Sequence, residues 1–266
     1  MKRRFLGTIF KLALIAILGV VMLGASAQES LAAPKVLIVN ADDSPPVAEL
    51  MATGLFAAVD VFDAINATPT LAELTPYDAV LAYTNYVPYD GVSLGDVLAD
   101  YVDGGGCLVI CTYSYSNPWE ILGRITTTGY SPLVSLAANA DVSGNLVAVI
   151  PTDPIFSGVD LGTLQYFHND NFAHPGLDSG ATLLATDGSG INMIARNGSG
   201  RVIGANLFPG TAVDVNNSEF YELIGNMLLC QAPHNVPAMT GWGAVLFGAL
   251  LVLSTLLIIR RRQETR

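Results

Sequence analysis

Leu98-Ala99-Asp100-Tyr101-Val102-Asp103-Gly104-Gly105-Gly106-Cys107-Leu108-Val109-Ile110-Cys111-Thr112 is a helical segment, a glycine break and a continuous apolar strand in immediate succession. The helix is predicted from Leu94 to Val102, and the strand from Cys107 to Thr112. A strand without polar alternation is buried on both faces, as in a parallel sheet covered by helices. Working outward, the same type of run occurs at Asp78–Thr84 and at Lys35–Asn40, with a shorter strand at Val59–Phe62 and a helix between them from Pro45 to Ala58. Further strands are predicted at Leu146–Ile150, Thr182–Thr186, Asn192–Arg196 and Arg201–Asn206, with a closing helix at Glu219–Leu229. The expected fold is α/β: a flavodoxin-like, doubly wound, mainly parallel sheet in one domain over residues 34–231.

Both ends of the chain read as membrane signals. Lys2, Arg3, Arg4 and Lys11 precede an apolar stretch from Leu12 to Ala25, too short to span, and Ala25-Ser26-Ala27 provides small residues for cleavage. Residues 1–27 are therefore expected to be a signal peptide. At the other end, Gly241 to Ile259 is uncharged, and a helix of that length reaches roughly 28 Å, about one hydrocarbon core. Arg260, Arg261 and Arg262 follow and would stay cytoplasmic, leaving the domain outside. The chain is expected to be exported and to remain membrane-anchored or surface-sorted. The remaining segments are a linker and motif at 232–240 and a basic tail at 260–266.

The order Val236-Pro237-Ala238-Met239, then Trp242-Gly243, one span and an arginine stop resembles the IPTL-type C-terminal sorting signal of bacterial surface proteins. That resemblance implies recognition by a membrane transpeptidase-like sorting enzyme. A plain single-span anchor with an interfacial tryptophan has the same physical features.

Between the two signals, Lys35, Arg124, Arg196 and Arg201 are the only lysines and arginines, against twenty-two acidic side chains from Gln28 to Ile259. Nucleic acid is excluded as a partner, since its binding requires a cationic footprint. No cofactor motif is present, and no metal site is expected. The closest approach to a calcium loop, Asp214 to Glu219, lacks the mid-loop glycine and the distal glutamate. Cys107 and Cys111 cannot pair within one strand, because four residues span roughly 13 Å. Cys111 with Cys230 is geometrically open, yet buried free thiols are the expectation for all three.

Tyr77-Asp78-Ala79-Val80-Leu81, followed by the opening stretch, resembles the YDVVV and LxxYVxxGGGLV segments of class I glutamine-amidotransferase-like domains, in particular the trehalose-utilisation (ThuA-like) branch. Asp153-Pro154-Ile155-Phe156-Ser157-Gly158-Val159 is similar to that branch's HPIxxGL stretch, with Asp in place of His, and Gly200-Arg201-Val202-Ile203 to its GRV strand. The glutaminase chemistry does not carry over. A nucleophile elbow needs small residues two positions either side of the nucleophile, and Cys111 has Val109 and Tyr113 there. Nor is any of His168, His174 or His234 followed by Glu at the second position, so Cys111 reads as a strand core residue.

Ligands of doubly wound folds bind beyond the carboxyl ends of the strands. Asp42, Asp43, Asn85, Tyr86, Tyr113, Ser114 and Tyr115 collect there, a mixture of rings, carboxylates and amides suited to a carbohydrate or another small polar ligand. Ordinary loop composition would look alike. His168-Asn169-Asp170-Asn171 is the other dense polar group. With Asp42 and Asp43, His168 and Asp170 are the acid–base candidates if the domain is instead an extracytoplasmic carbohydrate-active hydrolase or isomerase. The first expectation is a ligand- or envelope-partner-binding, amidotransferase-like domain that is not a glutaminase.

Overall fold

The computed structural model describes residues 32–135, 145–168, 175–213 and 215–230. The leader, the 232–240 linker, the 241–259 span and the basic tail lie outside the described residues, as do Asp170 and His174. Among the described residues no helix is long and apolar enough to cross a membrane.

The unit that begins at Pro34 is built on β1 (Lys35–Ala41), α1 (Val47–Ala52), β2 (Ala58–Asp63), α2 (Leu71–Leu74), β3 (Ala79–Thr84), α3 (Gly91–Asp103) and β4 (Cys107–Cys111). There follow β5 (Leu133–Val134), β6 (Val147–Ala148), β7 (Gly176–Leu177), β8 (Thr182–Thr186), β9 (Asn192–Arg196), β10 (Val202–Ala205) and α4 (Ser218–Leu228). Eight strands form one sheet in the order β2-β1-β3-β4-β10-β9-β8-β6, and β5 pairs with β7 apart from it. The first five of that order run parallel, whereas β10–β9, β9–β8 and β8–β6 are antiparallel.

The apolar strands are buried on both faces because side chains alternate between two layers. Val36, Ile38, Leu81, Val109 and Ile203 face one core with Leu50 of α1 and Phe220, Leu223 and Ile224 of α4. Leu37, Val39, Val80, Leu108 and Ile110 face the other, with Leu74 of α2 and Leu94 and Leu98 of α3. The glycine break behaves as read: Gly105 adopts φ +98°, a conformation that favours glycine, between α3 and β4.

Several boundaries differ from expectation for local reasons. α3 starts at Gly91 rather than Leu94 because the Asp90 carboxylate caps it, accepting from Val92 N at 3.1 Å and Ser93 N at 3.0 Å. α1 stops at Ala52, well short of Ala58, as Gly54 takes φ +73° and turns the chain toward β2. The predicted strand Leu146–Ile150 shrinks to Val147–Ala148, an edge pairing. No helix intervenes among β8, β9 and β10. Instead, Asp187 Oδ1 accepts from Ser189 N and Ile191 N, and Asn197 Oδ1 from Arg201 N and Val202 N, closing two tight returns that set these strands antiparallel.

The expectation of three free thiols is corrected. Cys107 and Cys230 form a disulfide with Cα atoms 5.7 Å apart, and only Cys111 is a free, buried thiol. The physical reason is the direction of α4. It follows β10, and its C-terminal end sits at the start of β4, where Cys107 Sγ lies 3.5 Å from the Leu228 carbonyl oxygen. Cys111 stands at the opposite end of that strand and is out of reach of Cys230.

Candidate functional site

β1 lies between β2 and β3, so the chain reverses its winding direction at β1, the point beyond whose carboxyl end doubly wound folds place their ligand crevice. Five buried polar atoms without a hydrogen-bond partner collect at this edge: Asn40 Oδ1 and Asp42 Oδ2 after β1, Thr84 Oγ1 on β3, Thr112 Oγ1 after β4 and Asn206 Oδ1 after β10. Pairing of Ala41 with Thr84 and of Ala82 with Ile110 brings the β1, β3 and β4 members side by side. Each such atom costs about 1–3 kcal/mol. Native folds keep few of them, so a row at one sheet edge calls for an explanation.

The loop after β1 is held by its own polar groups. Asn40 Nδ2 donates to the Asp42 carbonyl at 2.7 Å, Asp43 N donates to Asp42 Oδ1 at 2.7 Å, and the Ser44 carbonyl accepts from Thr211 N at 2.9 Å and Thr211 Oγ1 at 3.2 Å. Asp42 is 6% exposed. Gly210 presses on it so closely that a Cβ there would come within 2.5 Å of Asp42 Oδ2. Desolvation by this burial raises the carboxyl above its ordinary value, and the Asp43 charge adds to the effect. The Asp43 N–H and the Asn85 amide oppose it, Asn85 lying near without completing a hydrogen bond to Oδ2.

That shift has a sign. A carboxyl whose folded value is raised binds its proton more tightly in the folded state, so its contribution to stability falls as pH rises from the ordinary value of 3.8 through the folded value. Asp42→Asn keeps an oxygen to accept from Asp43 N and removes the buried charge. The variant is expected to match the native chain at acid pH and exceed it in stability at neutral pH, read from urea midpoints between about pH 3 and about pH 8. Equal pH dependence of the two proteins would refute the assignment.

The other sequence candidates separate. Asp43 is exposed, Asn85 is half-buried and Tyr86 is 45% exposed, so these three form an outer lip above Asp42. Tyr113 is buried in the first core, 5.5 Å from both the Trp119 and Phe208 ring centroids. Ser114 and Tyr115 leave the crevice for the other side of the sheet, where both line a separate cavity of about 520 Å³. Tyr115 donates its hydroxyl to the Ile110 carbonyl at 3.1 Å and packs in the second core, so it is not part of the lip.

His168 is exposed and stacks on Tyr166 with ring centroids 4.1 Å apart. It makes no hydrogen bond to Asp42 or Asp43, and Asp170 lies outside the described residues. The proposed acid–base set is therefore not assembled among the described residues. Cys111 is fully buried, and desolvation pushes its thiol far up, the reverse of an activated nucleophile. Among the described residues no group of His, Cys, Asp and Glu side chains could hold a metal ion. In the calcium-like stretch, Asn216 accepts from Phe167 N and Asn217 caps α4, which fixes both amides in structural roles.

Sequence reasoning passed over Thr84, Thr112 and Asn206. Each stands at the end of an apolar strand, and a polar residue closing such a run was the available signal.

These features define a flavodoxin-like α/β domain. Some solved structures are similar to this chain in fold. A ThuA-like protein from Bacteroides uniformis is 12% identical with a TM-score of 0.50, over 79% of this chain and 96% of that one. A glutamine amidotransferase from Thermotoga maritima is 11% identical with a TM-score of 0.46, over 67% and 76%. One from Methylobacillus flagellatus is 12% identical with a TM-score of 0.48, over 75% and 95%. No family model and no curated protein matches the sequence. The protein thus has the amidotransferase-like, ThuA-like fold, and likeness at this identity carries no activity with it.

Proposed function

We propose that this chain is an exported, membrane-anchored, amidotransferase-like domain that binds a small polyhydroxylated ligand at the carboxyl edge of its sheet and does not hydrolyse glutamine. The observation that carries the reading is the row of unpartnered buried polar atoms at Asn40, Asp42, Thr84, Thr112 and Asn206 beneath a lip of Asp43, Asn85 and Tyr86. The orphaned amide and carboxylate oxygens accept, and the two threonine hydroxyls both donate and accept. A sugar or polyol, directly or through ordered water, offers the complementary set, and its C–H face packs on an exposed tyrosine ring. The buried Cys111 thiol speaks against glutaminase chemistry.

Export rests on the leader, the uncharged C-terminal span and the arginine stop. A disulfide between Cys107 and Cys230 fits an oxidising compartment. The tail then tethers the domain to the membrane or presents it to a sorting transpeptidase. Mass spectrometry of the mature termini distinguishes these two fates.

A glycan and small-sugar panel titrated against the intact chain tests the ligand. Binding is expected to weaken at least tenfold in Tyr86→Ala and to change in Asp42→Asn. Absence of binding across the panel would mean that buried water alone completes the crevice, and the proposal would fail.

A further inference from the structure

The cavity that takes Ser114 and Tyr115 lies on the opposite side of the sheet from Asn40 and Asp42 and has a different character. Its lining is mixed, with Ile110, Tyr115, Ile121, Ile125 and Leu133 giving an apolar wall and Ser114, Asn117, Glu120, Thr126 and Ser131 a polar one, and its volume of about 520 Å³ falls in the range of small-molecule sites. Two polar atoms along it lack partners. Ser114 is 2% exposed and its Oγ makes no hydrogen bond, while Glu120 Oε2 is buried and unbonded, its other oxygen accepting from Asn117 Nδ2 at 2.8 Å.

Among the described residues lining the cavity, Glu120 is the only carboxylate, and none is a lysine, arginine or histidine. The neighbouring cation, Arg124, does not serve it, since its guanidinium bridges Asp100 at 2.9 Å and Asp103 at 2.6 Å. A buried carboxylate oxygen with no partner is costly until a positive donor meets it. Both orphan atoms can accept, and an ammonium group donates only. A carboxylate ligand would be repelled.

We propose that this cavity is a second ligand site, selective for a small apolar molecule bearing a protonated amine, with the ammonium held between Glu120 Oε2 and Ser114 Oγ and the apolar body against Ile121, Ile125 and Leu133. It is independent of the sugar reading for the crevice.

The test is calorimetric titration of the intact chain in neutral phospholipid nanodiscs, with empty discs subtracted, using 2-phenylethylammonium, 2-phenylethanol and 3-phenylpropionate. The ammonium is expected to bind at least tenfold tighter than the alcohol, and the carboxylate more weakly still. Glu120→Gln should abolish the preference for ammonium over alcohol, Glu120→Asp should retain part of it, and Asp42→Asn should leave it unchanged, with folding of each variant verified by circular dichroism. Equal binding of the three probes, no ammonium binding at millimolar concentration, or a preference that survives in Glu120→Gln would overturn the assignment.

Discussion

Replacing Cys107 and Cys230 together by alanine is expected to lower the unfolding free energy by about 2–5 kcal/mol. The bridge closes a separation of 123 residues, and a loop of that size removes a large share of the unfolded chain's freedom. It also fastens the end of α4 to the start of β4, the strand at the centre of the sheet. Treating the native chain with dithiothreitol should reproduce the loss without any substitution. Cys111→Ala removes only a small buried thiol and should cost about 1 kcal/mol. Urea unfolding followed by circular dichroism reads all three. If the double variant unfolds at the native midpoint, the bridge does not form in the folded protein.

Asp153→Ala should cost about 3–5 kcal/mol. Asp153 stands where the resembled branch carries histidine, and the structure explains the aspartate. Its Oδ2 accepts from Arg196 Nη1 at 2.7 Å and its Oδ1 from Arg196 Nη2 at 2.8 Å, a bidentate pair with side chains only 8% and 17% exposed. The same carboxylate accepts from Ile155 N at 3.2 Å and caps the short 3-10 turn Pro154–Phe156. Truncation strands the Arg196 guanidinium in a half-dry site and uncaps the turn at once. Most of the expected loss is the cost of the stranded charge rather than the net worth of the pair. Asp153→Asn keeps the cap, loses the ion pair and should fall between the two. A loss below about 1 kcal/mol for Asp153→Ala would show that the pair is solvated and weak.

The site was partly legible in the same way as these contacts. Asp42 and Asn85 were named from their position after apolar strands, and the switch of strand order beside β1 places them together. Tyr113 and Tyr115 were read as rim residues because they follow the same strand. Two residues apart, they would share a face if the pleat continued, but β4 ends at Cys111 and the turn after it puts Tyr113 in one core and Tyr115 in the other, which sequence position alone does not say. Glu120 attracted no notice, since one carboxylate among loop residues looks solvated until the apolar walls around it are known. His168 and Asp42 are far apart in sequence, and only tertiary packing determines whether such residues share a pocket.

Burial type and periodicity are local properties, so the sequence by itself determined β1, β3, β4, β8, β9 and α4 to within about one residue, and the terminal leader and tail as expectations. Direction and partnership are not local. Whether β8 and β9 run with or against their neighbours depended on two carboxamide and carboxylate turns at Asp187 and Asn197, and the pairing of Cys107 with Cys230 depended on which end of β4 the last helix reaches. Hydrophobic transfer chose which segments are inside; the course of the chain through space chose which of their ends meet.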